Sequence, residues 1–123
     1  MDRKKILIVD DEPAFVEMVK LRLEANGYDV ITANDGEQAL EKVKEDPDLL
    51  LIDIMMPKID GYTLLRELRA DNSTRTLPVI VVSAKPDLKD LFQIEGVHHY
   101  IVKPIETDEF LSTIREVLEE NDG

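Results

Sequence analysis

The chain contains no cysteine and no tryptophan among its 123 residues. Without cysteine there can be neither a disulfide staple nor a thiolate metal site, and a reducing compartment is the natural setting. Basic residues are scarce: 15 Lys and Arg stand against 27 Asp and Glu, for a formal net charge of -12. Affinity for a phosphate backbone rests on clustered Lys and Arg, so direct binding to nucleic acid is not expected. Long apolar runs are missing too. Met1 to Lys5 leads into the short run Ile6 to Val9, far below the length of a signal peptide core or a membrane span. The expectation is a cytoplasmic protein with no membrane partner. There is no internal repeat, low-complexity stretch or linker, and with 43% hydrophobic residues the length suits one domain, residues 1–123, with a substantial core.

What is present is a set of four apolar runs that each stop at a polar residue. Ile6-Leu7-Ile8-Val9 ends at Asp10-Asp11, Leu49-Leu50-Leu51-Ile52 at Asp53, Val79-Ile80-Val81-Val82 at Ser83, and Tyr100-Ile101-Val102 at Lys103. Short, nearly continuous apolar runs alternating with helical patterns indicate a parallel sheet covered on both faces. The functional crevice of such a sheet lies beyond the carboxyl ends of its strands. Three carboxylates, a hydroxyl and an ammonium are therefore expected to share one cleft.

Five strand–helix pairs can be traced, the pattern of an α/β domain with right-handed crossovers. The first helix spans about Pro13 to Asn26 with Val16, Val19 and Leu23 on one stripe, and stops at Gly27. Tyr28 to Ala33 is the second strand. Asp35 and Gln38 form a capping signature for a helix that buries Ala39, Leu40 and Val43. The third strand follows Pro47, and a Pro- and Gly-punctuated loop leads to a helix with Leu64, Leu65 and Leu68 facing inward, ended by Asp71 to Thr74. Pro78 opens the fourth strand. A short fourth helix runs from Pro86 or Asp87 to Gly96, His98 to Val102 is the fifth strand, and Phe110, Leu111, Ile114, Val117 and Leu118 stripe the fifth helix. Glu119 to Gly123 is a polar tail expected to fray.

The clustered acids point to a chemistry. Like charges a few ångström apart raise one another's pKa, and a hard divalent cation resolves that conflict. Asp53 is the candidate nucleophile, since a carboxylate can attack phosphorus to give an acyl phosphate. Asp10 and Asp11 would hold Mg²⁺, with Mn²⁺ as a substitute, and the backbone carbonyl of Met55 would add a ligand beside Asp53. Lys103 supplies a point charge and Ser83 a hydroxyl for the phosphoryl oxygens. Lys103 precedes Pro104, and an X-Pro bond can be cis at modest cost. His98 and His99 do not form a metal site together, because neighbouring strand residues point to opposite faces.

The motifs Val9-Asp10-Asp11-Glu12, Asp53-Ile54-Met55-Met56-Pro57 with Asp60-Gly61, Val82-Ser83-Ala84-Lys85 and Tyr100-Ile101-Val102-Lys103-Pro104 together resemble the receiver domain of two-component response regulators. The resemblance covers nearly the whole chain. It implies a flavodoxin-like five-stranded parallel sheet of order 2-1-3-4-5 with five helices. It also implies that Asp53 takes a phosphoryl group from a sensor histidine kinase, a phosphotransfer protein or a small phosphodonor. By the same resemblance Ser83 and Tyr100 form a switch, and Met55 and Lys85 flank the phosphoryl group and tune its hydrolysis. The output would be a population shift on the face of the fourth helix, fifth strand and fifth helix, read by a downstream protein or effector domain, with the chain a monomer or a phosphorylation-dependent dimer.

Two rival activities fit less well. A haloacid-dehalogenase-type phosphatase places its second Asp two residues after the first, whereas Asp10 is followed by Asp11-Glu12. A flavodoxin needs a hydroxyl-rich phosphate loop after the first strand, where these three acids would repel the ligand's phosphate.

Overall fold

The computed structural model describes residues 3–53, 60–84, 97 and 99–120. Five parallel strands, β1 (Lys5–Val9), β2 (Asp29–Ala33), β3 (Leu49–Ile52), β4 (Val79–Ser83) and β5 (His99–Val102), form one sheet in the order β2-β1-β3-β4-β5. The described helices are α1 (Pro13–Ala25), α2 (Gly36–Lys42), α3 (Gly61–Ala70) and α4 (Thr107–Glu120), with a 3-10 turn at Val43–Glu45. The helix expected from Pro86 or Asp87 to Gly96 lies outside the described residues, so α4 is the last of the five helices traced in the sequence. Only its end differs from expectation, since the helix continues to Glu120 where fraying was expected from Glu119.

Alternation along the strands divides the core in two. Ile6, Ile8, Leu49, Leu51, Ile80 and Val82 pack with Val19 and Leu23 of α1 and with Phe110, Ile114 and Val117 of α4. Leu7, Val9, Leu50, Ile52, Val79 and Val81 pack with Ala39 of α2 and with Leu64, Leu65 and Leu68 of α3. Every residue of β3 and β4 is buried. A strand covered on both faces has no solvent side, which is why these runs lack polar alternation.

The helix ends follow local chemistry. Asp35 caps α2 by accepting from the Gln38 N–H at 2.8 Å, while Gln38 Oε1 accepts from the Asn34 N–H at 2.9 Å. Asp60 caps α3 by accepting from the Thr63 N–H at 2.8 Å. Gly27 follows α1 with φ +91°, a conformation that costs an L side chain free energy.

Candidate functional site

The parallel register brings the polar strand ends together. Val9 pairs with Ile52, so Asp10 and Asp53 leave adjacent strands side by side. Backbone bonds fix both: the Asp53 N–H donates to the Val9 carbonyl at 2.9 Å and the Asp10 N–H to the Ala33 carbonyl at 3.1 Å. On the other side Ser83 pairs with Val102, and the Lys103 N–H donates to the Ser83 carbonyl at 2.8 Å. The Lys103-Pro104 peptide is cis.

One carboxylate oxygen from each of Asp10, Asp11 and Asp53 lies within 4.8 Å of the others. Asp10 and Asp53 are buried and Asp11 is exposed, so two acids form the floor of the cleft and one its rim. Octahedral Mg²⁺ with oxygens at 2.0–2.1 Å spans opposite ligands about 4.2 Å apart. Three hard oxygen donors at this separation fit such an ion with small side-chain adjustments.

Among the described residues, Lys103 brings a cation to the site. Its Nζ lies 2.9 Å from Asp10 Oδ2, 3.0 Å from Glu12 Oε1 and 3.7 Å from Asp53 Oδ2, with the side chain 13% exposed. Burial alone would lower its pKa. The hydrogen bonds to Asp10 and Glu12, joined by the charges of Asp10 and Asp53, outweigh that penalty and hold the ammonium above the ordinary lysine value. The same Nζ sits 4.1 Å from the centre of the Phe15 ring, a cation–π distance.

Ser83 is fully buried at the end of β4. Tyr100 is half-buried and packs against the α2–α3 core together with Tyr62 and Val97. Met55 and Lys85 lie outside the described residues. Of the residues singled out in the sequence, Asp10, Asp11, Asp53 and Lys103 thus converge, while Ser83 and Tyr100 stand on the neighbouring strands β4 and β5. Sequence reasoning gave no role to Glu12 or Phe15. A signal existed for both: they are three positions apart at the start of a helix, which puts them on one face of its first turn. A cleft of about 460 Å³ at the other end of the sheet is lined by Lys4, Pro47, Asp48 and Leu118 among others. Its carboxylate, Asp48, already accepts from the Lys5 N–H at 2.8 Å, and the clustered acids are elsewhere.

Comparison with known proteins gives the same picture. The family model of the response regulator receiver domain matches residues 6–115. The chain is 40% identical over 122 residues to the DNA-binding dual master transcriptional regulator RpaA of Synechocystis, covering 96% of this chain and 50% of that protein. It is 40% identical over 118 residues to the alkaline phosphatase synthesis transcriptional regulatory protein PhoP of Bacillus subtilis, covering 94% of this chain and 48% of that one. The chain thus spans about half the length of the curated relatives it matches. Among solved structures, a CheY-like response regulator receiver domain protein from Methanospirillum hungatei superposes with a TM-score of 0.90 at 30% identity, covering 98% of each chain. The receiver domain of the sensor histidine kinase PA1611 from Pseudomonas aeruginosa, with a magnesium ion coordinated in its active site cleft, superposes with a TM-score of 0.87 at 27% identity, covering 96% of this chain and 99% of that one.

Proposed function

The chain belongs to the response regulator receiver domain family of two-component systems, a signalling domain rather than a conventional enzyme, and from that premise we propose that Asp53 is its phosphoacceptor. The observation that carries this reading is the meeting of Asp10, Asp11 and Asp53 within 4.8 Å beside the Lys103 ammonium. A carboxylate oxygen of Asp53 attacks the donor phosphorus. A P–O bond to Asp53 forms as the donor's bond to the phosphoryl group breaks, either P–N in a phosphohistidine or P–O in a small acyl phosphate.

Asp10, Asp11 and Asp53 would hold Mg²⁺, or Mn²⁺ in its place, with the Met55 carbonyl as a further ligand. A bound ion supplies positive charge for the equatorial phosphoryl oxygens and screens the three acids from one another. Lys103 adds a second positive charge from the β5 side, and Ser83 a hydroxyl donor from β4. Attack of water on the aspartyl phosphate returns the carboxylate and releases inorganic phosphate, and Met55 and Lys85 tune that rate.

The partners follow from the family. A sensor histidine kinase or phosphotransfer protein donates the phosphoryl group. Ser83 and Tyr100 couple it to the face formed by β5 and α4, where a downstream protein or effector domain reads the state. The domain works in the cytoplasm as a monomer or a phosphorylation-dependent dimer. Among the described residues no helix is long and apolar enough to cross a membrane. The net charge of -12 leaves direct contact with nucleic acid to other partners.

Intact-mass measurement after incubation with acetyl phosphate and Mg²⁺ tests the assignment. Wild type is expected to gain one phosphoryl group and Asp53→Asn none. A wild type that stays unmodified, or a variant that gains the same mass, overturns it.

A further inference from the structure

Glu12 occupies the N-cap position of α1 but makes no side-chain capping bond. The next residue is Pro13, which opens the helix at a position whose N–H would have no intrahelical partner. The carboxylate turns the other way and accepts from Lys103 Nζ at 3.0 Å, although it is 64% exposed. Its own backbone N–H donates to Asp10 Oδ1 at 2.9 Å, while Asp10 Oδ2 takes Lys103 at 2.9 Å. Asp10, Glu12 and Lys103 therefore close a ring of three hydrogen bonds, with the Phe15 face 4.1 Å from the ammonium. Asp53 lies outside this ring, at 3.7 Å from Nζ, too far for a hydrogen bond.

We propose that Glu12 is a positioning residue that, with Phe15, holds the Lys103 ammonium on the α1 side of the cleft and so competes with a phosphoryl group on Asp53 for it. The proposal rests on Asp53 being the phosphoacceptor. Lys103 has three N–H donors, and two are committed to Asp10 and Glu12. To bring the third into bonding range of a group on Asp53, now 3.7 Å away, the ammonium shifts away from the α1 side, and the charge of Glu12 sets how readily it does so. Glu12 thereby governs the balance between the resting and the phosphorylated arrangement. An exposed ion pair is expected to weight that balance by roughly two- to fivefold.

Three variants and two readouts test this. Glu12→Gln removes the charge and keeps the shape. Glu17→Gln makes the same charge change on an exposed position of α1. Lys103→Ala removes the contested group. In solution NMR the Lys103 ε-methylene protons of wild type are expected to be displaced upfield by the Phe15 ring. Glu12→Gln should at least halve that displacement and Glu17→Gln should leave it. Beryllium fluoride with Mg²⁺, a phosphoryl mimic, should bind Glu12→Gln roughly two- to fivefold more tightly than Glu17→Gln, and the difference should vanish when Lys103→Ala is added to both. Equal NMR displacement in the two Gln variants, equal affinities, or a gain that survives Lys103→Ala overturns the proposal. Failure of the phosphoacceptor assignment is seen separately, as an Asp53 that gains no phosphoryl mass, and the NMR comparison still decides whether Glu12 holds the lysine.

Discussion

The Lys103 ammonium stands 2.9 Å from Asp10 Oδ2, joining side chains 93 positions apart in the chain. Asp10 is 2% exposed, so removing the lysine leaves a desolvated carboxylate close to two others. Lys103→Met is expected to lower the unfolding free energy by about 1–3 kcal/mol at neutral pH without divalent cations. Urea denaturation measures it, and an unchanged midpoint would show that Asp10 does not depend on this partner.

The same contacts raise the Lys103 pKa above its ordinary value of 10.5, which fixes the sign of a pH effect. A group whose folded pKa is raised contributes its full stabilisation below the unfolded value and loses it as pH climbs through the folded one. The stability difference between wild type and Lys103→Met should stay constant from neutral pH up to the ordinary lysine value and shrink only above it. Denaturation at a series of alkaline pH values checks this, and a difference already lost below the ordinary lysine value, or undiminished well above it, would contradict it.

Asp11 stands exposed at the rim of the acid cluster. Asp11→Asn relieves like-charge repulsion, so without metal the variant should be at least as stable as wild type. Wild type should gain about 2.7 kcal/mol at Mg²⁺ a hundredfold above its dissociation constant. Asp11→Asn should gain much less over the same range. Thermal melts with and without Mg²⁺ distinguish these outcomes, and equal metal-dependent shifts would remove Asp11 from the ligand set.

Gly27 closes α1 at φ +91°, and a Cβ built there would meet nothing within 4 Å. The cost of Gly27→Ala is therefore one of backbone conformation alone, about 1–2 kcal/mol, with no steric addition. Chemical denaturation measures it. A much larger loss would mean that the space around the turn is tighter than the backbone geometry implies.

Much of the site could be read from the order of residues, for a definite reason. In a parallel sheet every strand leaves its functional residue at the same edge, so Asp10, Asp53, Ser83 and Lys103 at the ends of apolar runs are brought to one edge by topology before any side chain is placed. The capping pairs were partly visible. Asp35 with Gln38 fits a known spacing, whereas Asp60 bonds Thr63 within a loop-to-helix junction that the sequence marked only as a turn. The role of Glu12 was not visible, because a carboxylate beside two aspartates and before a proline looks like a helix start. Its contact with Lys103 joins residues 91 positions apart and depends on how α1 enters beside β5's end. Packing depth was legible only as a tendency. Leu40 and Leu111 belong to the expected stripes yet are only partly buried against the two cores, whereas Ala39 and Phe110 beside them are buried.

The backbone bonds Asp53 N–H to Val9, Asp10 N–H to Ala33 and Lys103 N–H to Ser83 tie these three residues to strands of the sheet rather than to the outer helices. Exposed positions on α1 to α4 can therefore diversify while the cluster of Asp10, Asp53 and Lys103 keeps its dimensions. A designer could regraft the outer helix surfaces and expect the chemistry to survive, provided that the ladder beneath it is left untouched.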